Sequence, residues 1–337
     1  MNLVTNTPSV NSSISPVSDS PQWKTLSNIK VASLFAGCGG LDLGVIKAGH
    51  DVVWANDFYS DSVETYKLNI GDHIVCADVA DIDPKSIPNI DLLAGGLPCQ
   101  GFSNANVNKV DNDARNDLYA QFVRILLAKK PKFLIIENVR GMLSLQGGSV
   151  FKKILEALDE AGYAYSYKVL NAADYGVPQT RVRLFIIGIR KDLSDKYRYV
   201  FPEPTHARYH NKTRLKPWVT IGQTLQNIPE PTDSHVLKNH VCSQYKVTNR
   251  NFTGHRATDP SKPSPTILAR GNGGGGVCAI QHPENHRRMS VRESALMQTF
   301  PIDFEFFGKT NSMYRQVGNA VPVELAACVA KGFQEKI

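Results

Sequence analysis

The chain has 337 residues, 42% of them hydrophobic, and a formal net charge of +7 at neutral pH. This length favours about two domains with a sizeable core. No apolar run approaches the roughly 20 residues of a membrane-spanning helix, so we expect a cytoplasmic protein that makes no membrane contact. The six cysteines are scattered without a CxxC pair, so we expect reduced thiols and no metal site.

The predicted elements alternate between strand and helix in the first half of the chain. Residues 1–28 are rich in Ser, Asn, Thr and Pro and are predicted to form a disordered leader. Short apolar runs then predict strands, and apolar residues at helical spacing predict helices between them. The predicted strands are 31–37, 51–57, 73–78, 90–96, 133–139 and 183–189, and the predicted helices are 61–70, 118–130 and 149–162. This alternation predicts an α/β fold whose mostly parallel sheet has helices on both faces.

The composition changes after Arg190. Residues 191–286 are polar, contain many prolines and histidines, and include a glycine run at 273–276, which is typical of a smaller, loop-rich domain. Between Lys191 and Ser290 there are 15 Lys and Arg against 7 Asp and Glu, which leaves 23 against 24 in the rest of the chain. Such a local surplus fits a nucleic-acid partner, and it fits a solvated basic face equally well. Helical spacing returns at 291–300 and 322–333.

Residues with useful chemistry follow five of the predicted strands. In an open α/β sheet, ligands bind outside the carboxyl ends of the strands, so these residues are expected to meet at one crevice. They are the glycines of 35–40 after the first strand, Asp57 at the end of the second, Asp78 after the third, Cys99 after the fourth and Glu137 in the fifth.

Each of these residues also has an ordinary interpretation. The glycines fit a tight turn, Asp57 and Asp78 fit helix caps, Cys99 fits an inert buried thiol, and Glu137 fits a structural ion pair. Their convergence favours a site in which a thiol and a carboxylic acid, its pKa raised by partial burial, lie beside a cofactor. A GxGxxG fingerprint would need glycine where Asp42 stands, which disfavours a nicotinamide dinucleotide and leaves another adenosine cofactor open.

With these residues in place, the chain resembles the DNA (cytosine-5) methyltransferases of bacterial restriction–modification systems from about residue 30 to residue 335. Eight motifs in the family's order carry the resemblance: FAGCGGLDLG (35–44), NDF (56–58), DV (78–79), PCQ (98–100), ENV (137–139), QTRVR (179–183), RRMSVRESALMQTFP (287–301) and QVGNAVPV (316–323). Two residues depart from the usual pattern, Leu97 before the Pro-Cys pair and Asn116 after Arg115.

The resemblance implies an organisation and a cofactor. Residues 29–190 would form a Rossmann-like catalytic domain, 191–286 a target-recognition domain, and 287–337 a segment that returns to the catalytic domain. The implied methyl donor is S-adenosyl-L-methionine, with no metal. The implied cofactor contacts are Phe35, Gly37, Gly39, Gly40, Leu41, Asp57, Phe58, Asp78, Val79, Pro98, Leu118, Asn319 and Val321.

The resemblance also implies a reaction, the methylation of C5 of a cytosine that is flipped out of a specific duplex DNA sequence. Cys99 would add to C6, and Glu137 would assist at N3. Arg183 and Arg181 would donate to O2 and orient Glu137. A loop that closes over the base would include Gln100, Ser103 and Arg115.

The implied setting is a monomer at the bacterial nucleoid that protects DNA from a cognate restriction endonuclease. Three alternatives remain: an RNA (tRNA) cytosine-5 methyltransferase, a nicotinamide-dependent oxidoreductase, and an inactive DNA-binding relative. The basic region 191–286 favours DNA over RNA. The PCQ, ENV and QTRVR motifs would have no role in an oxidoreductase, and intact Cys99 and Glu137 disfavour an inactive relative.

Overall fold

The computed structural model describes residues 21–97, 116–209, 214–231, 237–242, 258–269, 280–284 and 287–337. In these ranges the strands are β1 Trp23–Thr25, β2 Lys30–Leu34, β3 Asp51–Asp57, β4 Ile74–Cys76, β5 Leu92–Gly96, β6 Phe133–Val139, β7 Tyr163–Asn171, β8 Gln179–Thr180, β9 Val182–Arg190, β10 Tyr197–Tyr199, β11 His206–Ala207, β12 Lys216–Pro217, β13 Ser264–Pro265 and β14 Phe333–Lys336. The helices are α1 Gly40–Lys47, α2 Ser60–Asn69, α3 Asn116–Lys129, α4 Ser149–Glu160, α5 Ile221–Leu225, α6 Val291–Met297, α7 Thr310–Asn319 and α8 Val323–Ala330.

A seven-stranded sheet forms the centre of the molecule, in the order β4-β3-β2-β5-β6-β9-β7. Strand β9 runs antiparallel to both of its neighbours, whereas the pairs from β4 to β6 are parallel. The chain moves outward from β2 to β3 and β4, and then returns to the other side of β2 with β5. The crevice of such a sheet lies where the direction reverses, which is at the carboxyl ends of β2 and β5.

The sheet is buried on both faces because its central strands are almost wholly apolar. Alternate side chains of β2 and β5 enter two separate hydrophobic clusters, as expected for a strand with packing partners on each side. One cluster includes residues of α1 and α8, and the other includes residues of α3 and α4. The structure therefore confirms the predicted α/β fold with helices on both faces of a mostly parallel sheet.

Helices α1 and α8 pack closely because glycines face the contact. A Cβ added at Gly44 would lie 2.3 Å from the Cβ of Ala326 and 2.7 Å from the backbone oxygen of Val323. A Cβ added at Gly40 would lie 2.5 Å from the backbone oxygen of Val321. Residues 321–330 thus pack directly against α1 on one face of the central sheet.

The sequence prediction holds for all six predicted strands and for the helices at 61–70, 118–130 and 149–162, with small changes at the ends. It missed β7, a sheet-edge strand in which residues 164–167 are exposed, so that no apolar run marks it. It also missed α7, whose sequence TNSMYRQVGN is mostly polar.

The predicted disordered leader differs from the structure at its end. Trp23–Thr25 form β1, which pairs antiparallel with β14, and β14 also pairs with β10. The guanidinium of Arg198 lies 4.3 Å from the centre of the Trp23 ring. Leu26 lies against the core as well. Residues 21–28 therefore extend the folded part toward the N-terminus, and the rest of the predicted leader, 1–20, lies outside the described residues.

The described parts of 191–286 contain short elements that attach to the rest of the molecule. Strand β13 pairs with β8, β11 pairs with β12, and α5 opens with a capping box formed by Thr220 and Gln223. The glycine run 273–276 lies outside the described residues. None of the described helices is long and apolar enough to cross a membrane.

Candidate active site

The loop between β2 and α1, residues 35–39, lines the crevice and has an unusual backbone. Phe35, Gly37 and Gly39 all have positive φ, at 56°, 59° and 89°. At Gly39 an added Cβ would lie 2.2 Å from Ile70 Cδ1, so only glycine fits there. At Gly37 an added Cβ would meet nothing within 4 Å, so the space beside the loop is open. The positive φ is therefore the reason that glycine is favoured there.

Asp57 is bound to this loop. Its Oδ2 accepts from the backbone N–H of Gly37 at 2.8 Å, and its Oδ1 accepts from the N–H of Tyr59 at 2.9 Å. Burial raises the pKa of Asp57, while these N–H groups and the charge of Arg315 act in the opposite direction. The adjacent Phe58 ring is 65% exposed, which is unusual for a large apolar side chain.

Six further predicted cofactor residues lie in the described part of the chain, and one of them, Leu118, is near the start of α3. Asp78 caps a short 3₁₀ turn by accepting from the N–H of Ala80 at 2.9 Å, and the next residue, Val79, is buried. Leu41 and Val321 are buried in the same hydrophobic cluster. Leu118 is partly buried, and Asn319 is exposed at the end of α7.

Glu137 and Arg183 form an ion pair at the sheet's rim. The distance between Glu137 Oε1 and Arg183 Nε is 2.9 Å, and the two side chains are 10% and 11% exposed. The register of β6 with β5 places Glu137 opposite Gly96, three residues before Cys99. The prediction that Glu137 lies beside the strand that leads to Cys99 is therefore confirmed.

Two further contacts fix the end of β5. The side-chain amide of Asn138 donates to the backbone oxygen of Leu97 at 3.2 Å, which ties the approach to Pro98 to β6. Leu97 itself is 7% exposed and belongs to the cluster beneath α3 and α4, so its apolar side chain serves the core. The predicted site residues Pro98, Cys99, Gln100, Ser103 and Arg115 lie outside the described residues.

The QTRVR segment divides its polar side chains between two tasks. Arg183 contacts Glu137. Arg181 is buried and donates to the backbone oxygens of Ile267 and Gly318, at 2.8 and 2.9 Å, and burial lowers its pKa. Gln179 donates to the backbone oxygen of Met297 and accepts from the N–H of Ile267. Gln179 and Arg181 thus join separate segments, while Arg183 reaches the rim.

Sequence reasoning missed two buried polar residues near the site. Asn138 was identified only as a member of the ENV motif, with no role of its own. Asp42 was noticed only because it is not a glycine, yet it is fully buried and accepts hydrogen bonds from Ser33 and Tyr66. A carboxylate inside an apolar helix next to a glycine loop was the available signal, since such a group is rarely buried without partners.

Comparison with known proteins agrees with the geometry. The family model of the C-5 cytosine-specific DNA methylases matches residues 29–335. The chain is 39% identical to the Type II methyltransferase M.NgoFVII of Neisseria gonorrhoeae, over 91% of this chain and 87% of that protein. It is 35% identical to the Type II methyltransferase M.BsuRI of Bacillus subtilis, over 90% and 78% of the two chains.

A solved structure of a prophage-encoded DNA modification methyltransferase from E. coli shares the fold. Its TM-score is 0.68 at 24% identity, covering 90% of this chain and 98% of that one. The family match and the relatives confirm the resemblance that the motifs indicate. The chain belongs to the C-5 cytosine-specific DNA methylase family and is a DNA (cytosine-5-)-methyltransferase.

Proposed function

We propose that this chain methylates C5 of a cytosine within a specific duplex DNA sequence and takes the methyl group from S-adenosyl-L-methionine. The observation that carries this proposal is the Glu137–Arg183 pair at the rim, opposite the strand that leads to Cys99. A carboxyl group and a guanidinium beside a thiol are the groups that a pyrimidine needs when a nucleophile adds to it.

The chemistry follows from the low nucleophilicity of cytosine C5. Addition of the Cys99 thiolate to C6 places electron density on C5 and negative charge on the ring. Glu137 would share a proton with N3 and so stabilise that charge. Arg183 would hold the Glu137 carboxyl group in place and donate to O2 with a second N–H. C5 would then bond to the donor's methyl carbon as the methyl–sulfur bond breaks. A water would take up the C5 proton, and C6 would expel the Cys99 thiolate, which restores the aromatic ring.

The cofactor residues fit an adenosine ligand. The open space beside Gly37, the Asp57 carboxylate at the end of β3 and the exposed ring of Phe58 lie along one loop and strand end. A carboxylate in this position suits ribose hydroxyls, and an exposed aromatic ring suits the adenine. S-adenosyl-L-methionine supplies an electrophilic methyl group when bound. Asp78, Val79, Leu118, Asn319 and Val321 would complete its pocket.

Arg181 enters this proposal as a positioning residue. The QTRVR motif groups it with Arg183 for catalysis, and its contacts with Ile267 and Gly318 support an indirect contribution. By joining those two backbone segments, it would hold the base of the recognition region against the strand that carries Arg183.

The substrate and setting complete the proposal. The basic surplus in 191–290 would bind phosphates, and loops of 191–286 would read bases. The loop containing Gln100, Ser103 and Arg115 would cover the flipped cytosine. We propose a monomer at the bacterial nucleoid that protects DNA from a partner endonuclease, which the Type II methyltransferase names of the relatives support.

One experiment tests the reaction. Purified protein is incubated with labelled S-adenosyl-L-methionine and either duplex genomic DNA or tRNA, and the labelled product is identified. We expect 5-methylcytosine in DNA for the wild type and for Cys328→Ala, which alters a partly buried cysteine in α8. We expect none for Cys99→Ala. Label only in tRNA would overturn the DNA assignment, and turnover by Cys99→Ala would overturn the nucleophile.

A further inference from the structure

A buried hydrogen-bonded chain lies directly beneath the glycine loop. Ser33 Oγ donates to Asp42 Oδ1 at 2.6 Å, and the Tyr66 hydroxyl donates to Asp42 Oδ2 at 2.9 Å. Ser33, Asp42 and Tyr66 are all 0% exposed. The Tyr66 oxygen also lies 3.1 Å from His73 Nε2, which in the Nε2–H tautomer donates to it. Both oxygens of the Asp42 carboxylate are therefore occupied by hydroxyl donors.

This set of hydrogen bonds joins the two ends of the loop. Ser33 lies in β2 just before the loop, and Asp42 lies in the first turn of α1 just after it. Tyr66 reaches in from α2, and an added Cβ at Gly39 would lie 3.1 Å from its ring. The loop is thus held at its entry, at its exit and along one side by three elements that share one carboxylate.

The loop needs such support. Phe35 has a positive φ of 56°, which costs energy for a residue with a side chain and persists only when surrounding contacts determine it. The N–H of Gly37 also donates to Asp57 Oδ2 at 2.8 Å, so the position of the loop is coupled to that of Asp57. A small rotation of the loop would break that bond and move Asp57.

The cost of burying Asp42 argues that its role is specific. Desolvation raises the pKa of its carboxyl group from 3.8 to about 6, even though Ser33 and Tyr66 act against the shift. Apolar residues of similar size often stabilise a core as well as a buried ionised group does. A carboxylate here gives something that stability alone does not require, namely two directional contacts that fix where the loop lies.

We propose that Asp42 is a positioning residue for cofactor binding, which holds the 35–39 loop in its binding conformation through Ser33 and Tyr66. This inference rests on the proposed use of S-adenosyl-L-methionine, and it adds Ser33, Asp42 and Tyr66 to the residues that determine its affinity. None of the three needs to touch the cofactor, since each acts through the backbone of the loop.

The test compares Asp42→Asn, Tyr66→Phe and Ser33→Ala with the control Glu160→Gln, which changes an exposed carboxylate at the end of α4. Calorimetry on the full chain measures the dissociation constant of S-adenosylhomocysteine. Steady-state kinetics give KM for S-adenosyl-L-methionine, KM for DNA, and kcat. We expect both cofactor constants to rise about tenfold or more in Asp42→Asn, and about three- to tenfold in Tyr66→Phe and Ser33→Ala. We expect kcat and KM for DNA to stay within about twofold.

The outcomes separate this inference from the proposed function. If the wild type fails to bind S-adenosylhomocysteine, the cofactor assignment itself fails. If the wild type and the control bind it, and Tyr66→Phe and Ser33→Ala bind it equally tightly, the positioning role is overturned. Tyr66→Phe keeps the ring that packs against Gly39. Its affinity for S-adenosylhomocysteine therefore tests the positioning role even if Asp42→Asn does not fold. A fall in kcat with unchanged cofactor KM would also contradict the proposal.

Discussion

At the scale of single residues, the two members of the Glu137–Arg183 pair would have different roles. In the proposed reaction, Arg183 would keep Glu137 in place, and Glu137 would exchange a proton with the base. Their side chains are about one-tenth exposed, so a small part of the pair is open at the rim of the sheet. A carboxyl group held by one arginine at a rim can therefore meet a pyrimidine without leaving its partner.

Glu137→Gln tests this arrangement. The glutamine oxygen can still accept from Arg183, so we expect the fold to persist, but the amide cannot supply a proton to N3. We expect kcat for DNA methylation to fall by roughly 10²–10⁴-fold. The control is Glu156→Gln in α4, whose side chain is 54% exposed. A Glu137→Gln enzyme within about threefold of wild type would remove the proton role from Glu137.

Asp42 should give the protein a distinctive pH dependence. Burial raises the pKa of its carboxyl group from the ordinary 3.8 to about 6, so the folded state binds more protons than the unfolded state between about pH 4 and pH 6. Stability that this group contributes below about pH 4 is therefore lost as the pH rises through about 6, and the difference amounts to roughly 3 kcal/mol.

Asp42→Asn has no proton to lose at this position. Urea unfolding at several pH values measures the free energy of unfolding of both proteins. Relative to that of the wild type, the value for Asp42→Asn should rise by up to roughly 3 kcal/mol from pH 4 to pH 7. The difference between the two proteins cancels the other titrating groups, including Asp57. A constant difference across this range would mean that Asp42 titrates normally.

At the scale of elements, the QTRVR segment shows both what sequence can reveal and where it stops. The motif identified two arginines, and residue spacing offered no way to tell them apart. Only the antiparallel pairing of β9 with β6, which sets Arg183 opposite Val139, brings Arg183 to Glu137. Arg181 instead meets backbone oxygens from residues 86 and 137 positions away, and such contacts leave no local pattern.

The same reasoning explains the other results of sequence analysis. Strands of the parallel sheet were found because burial on both faces makes them continuous apolar runs. Strand β7 was missed because the sheet edge exposes residues 164–167. Asp57 and Glu137 were found because they end such runs. Asp42 was not identified, because it meets Ser33 and Tyr66 only where β2, α1 and α2 come together in the fold.

The contact between α1 and α8 gives a prediction about packing. Alanine is the better helix former, so Gly44→Ala would gain about 1 kcal/mol in an isolated helix. Here its methyl group would lie 2.3 Å from Ala326 Cβ and 2.7 Å from backbone atoms of α8. We expect a net loss of about 1–3 kcal/mol by urea unfolding. Ile46→Ala, on the exposed side of α1, should change stability by only about 0.5 kcal/mol, and a more stable Gly44→Ala would show that the helices can separate.

At the scale of the whole molecule, the net positive charge is concentrated in one region of the sequence. Residues 191–290 carry a surplus of eight positive charges, 15 against 7, while the remaining residues are close to neutral, at 23 against 24. If residues 191–286 form the proposed recognition domain, this charge should bind any duplex weakly through its phosphates, and loops of that domain should distinguish DNA sequences.

DNA binding should therefore depend steeply on salt. Each neutralised phosphate contributes about −0.9 to the slope of log K against log salt concentration, so about five contacts would give a slope near −4.5. Fluorescence anisotropy with a labelled duplex, between about 50 and 200 mM salt, measures this slope. Substituting alanine at Lys216 and Arg214, both in the basic region, should make the slope shallower, whereas Lys152→Ala in α4 should not. A slope near zero for the wild type would exclude the region as the phosphate contact.

The packing of α8 on α1 also bears on how the enzyme is made. His50, just after α1, donates from Nε2 to the backbone oxygen of Ala330 at 3.1 Å, across 280 residues of sequence. During translation α1 leaves the ribosome long before α8 is synthesised, and its glycine face then has no partner. Contacts this distant in sequence form slowly, and uncovered apolar surface favours chaperone binding or aggregation in the interval. The nascent chain should acquire methylating activity only after α8 has been synthesised, so active enzyme appears later than the translation of its first helices.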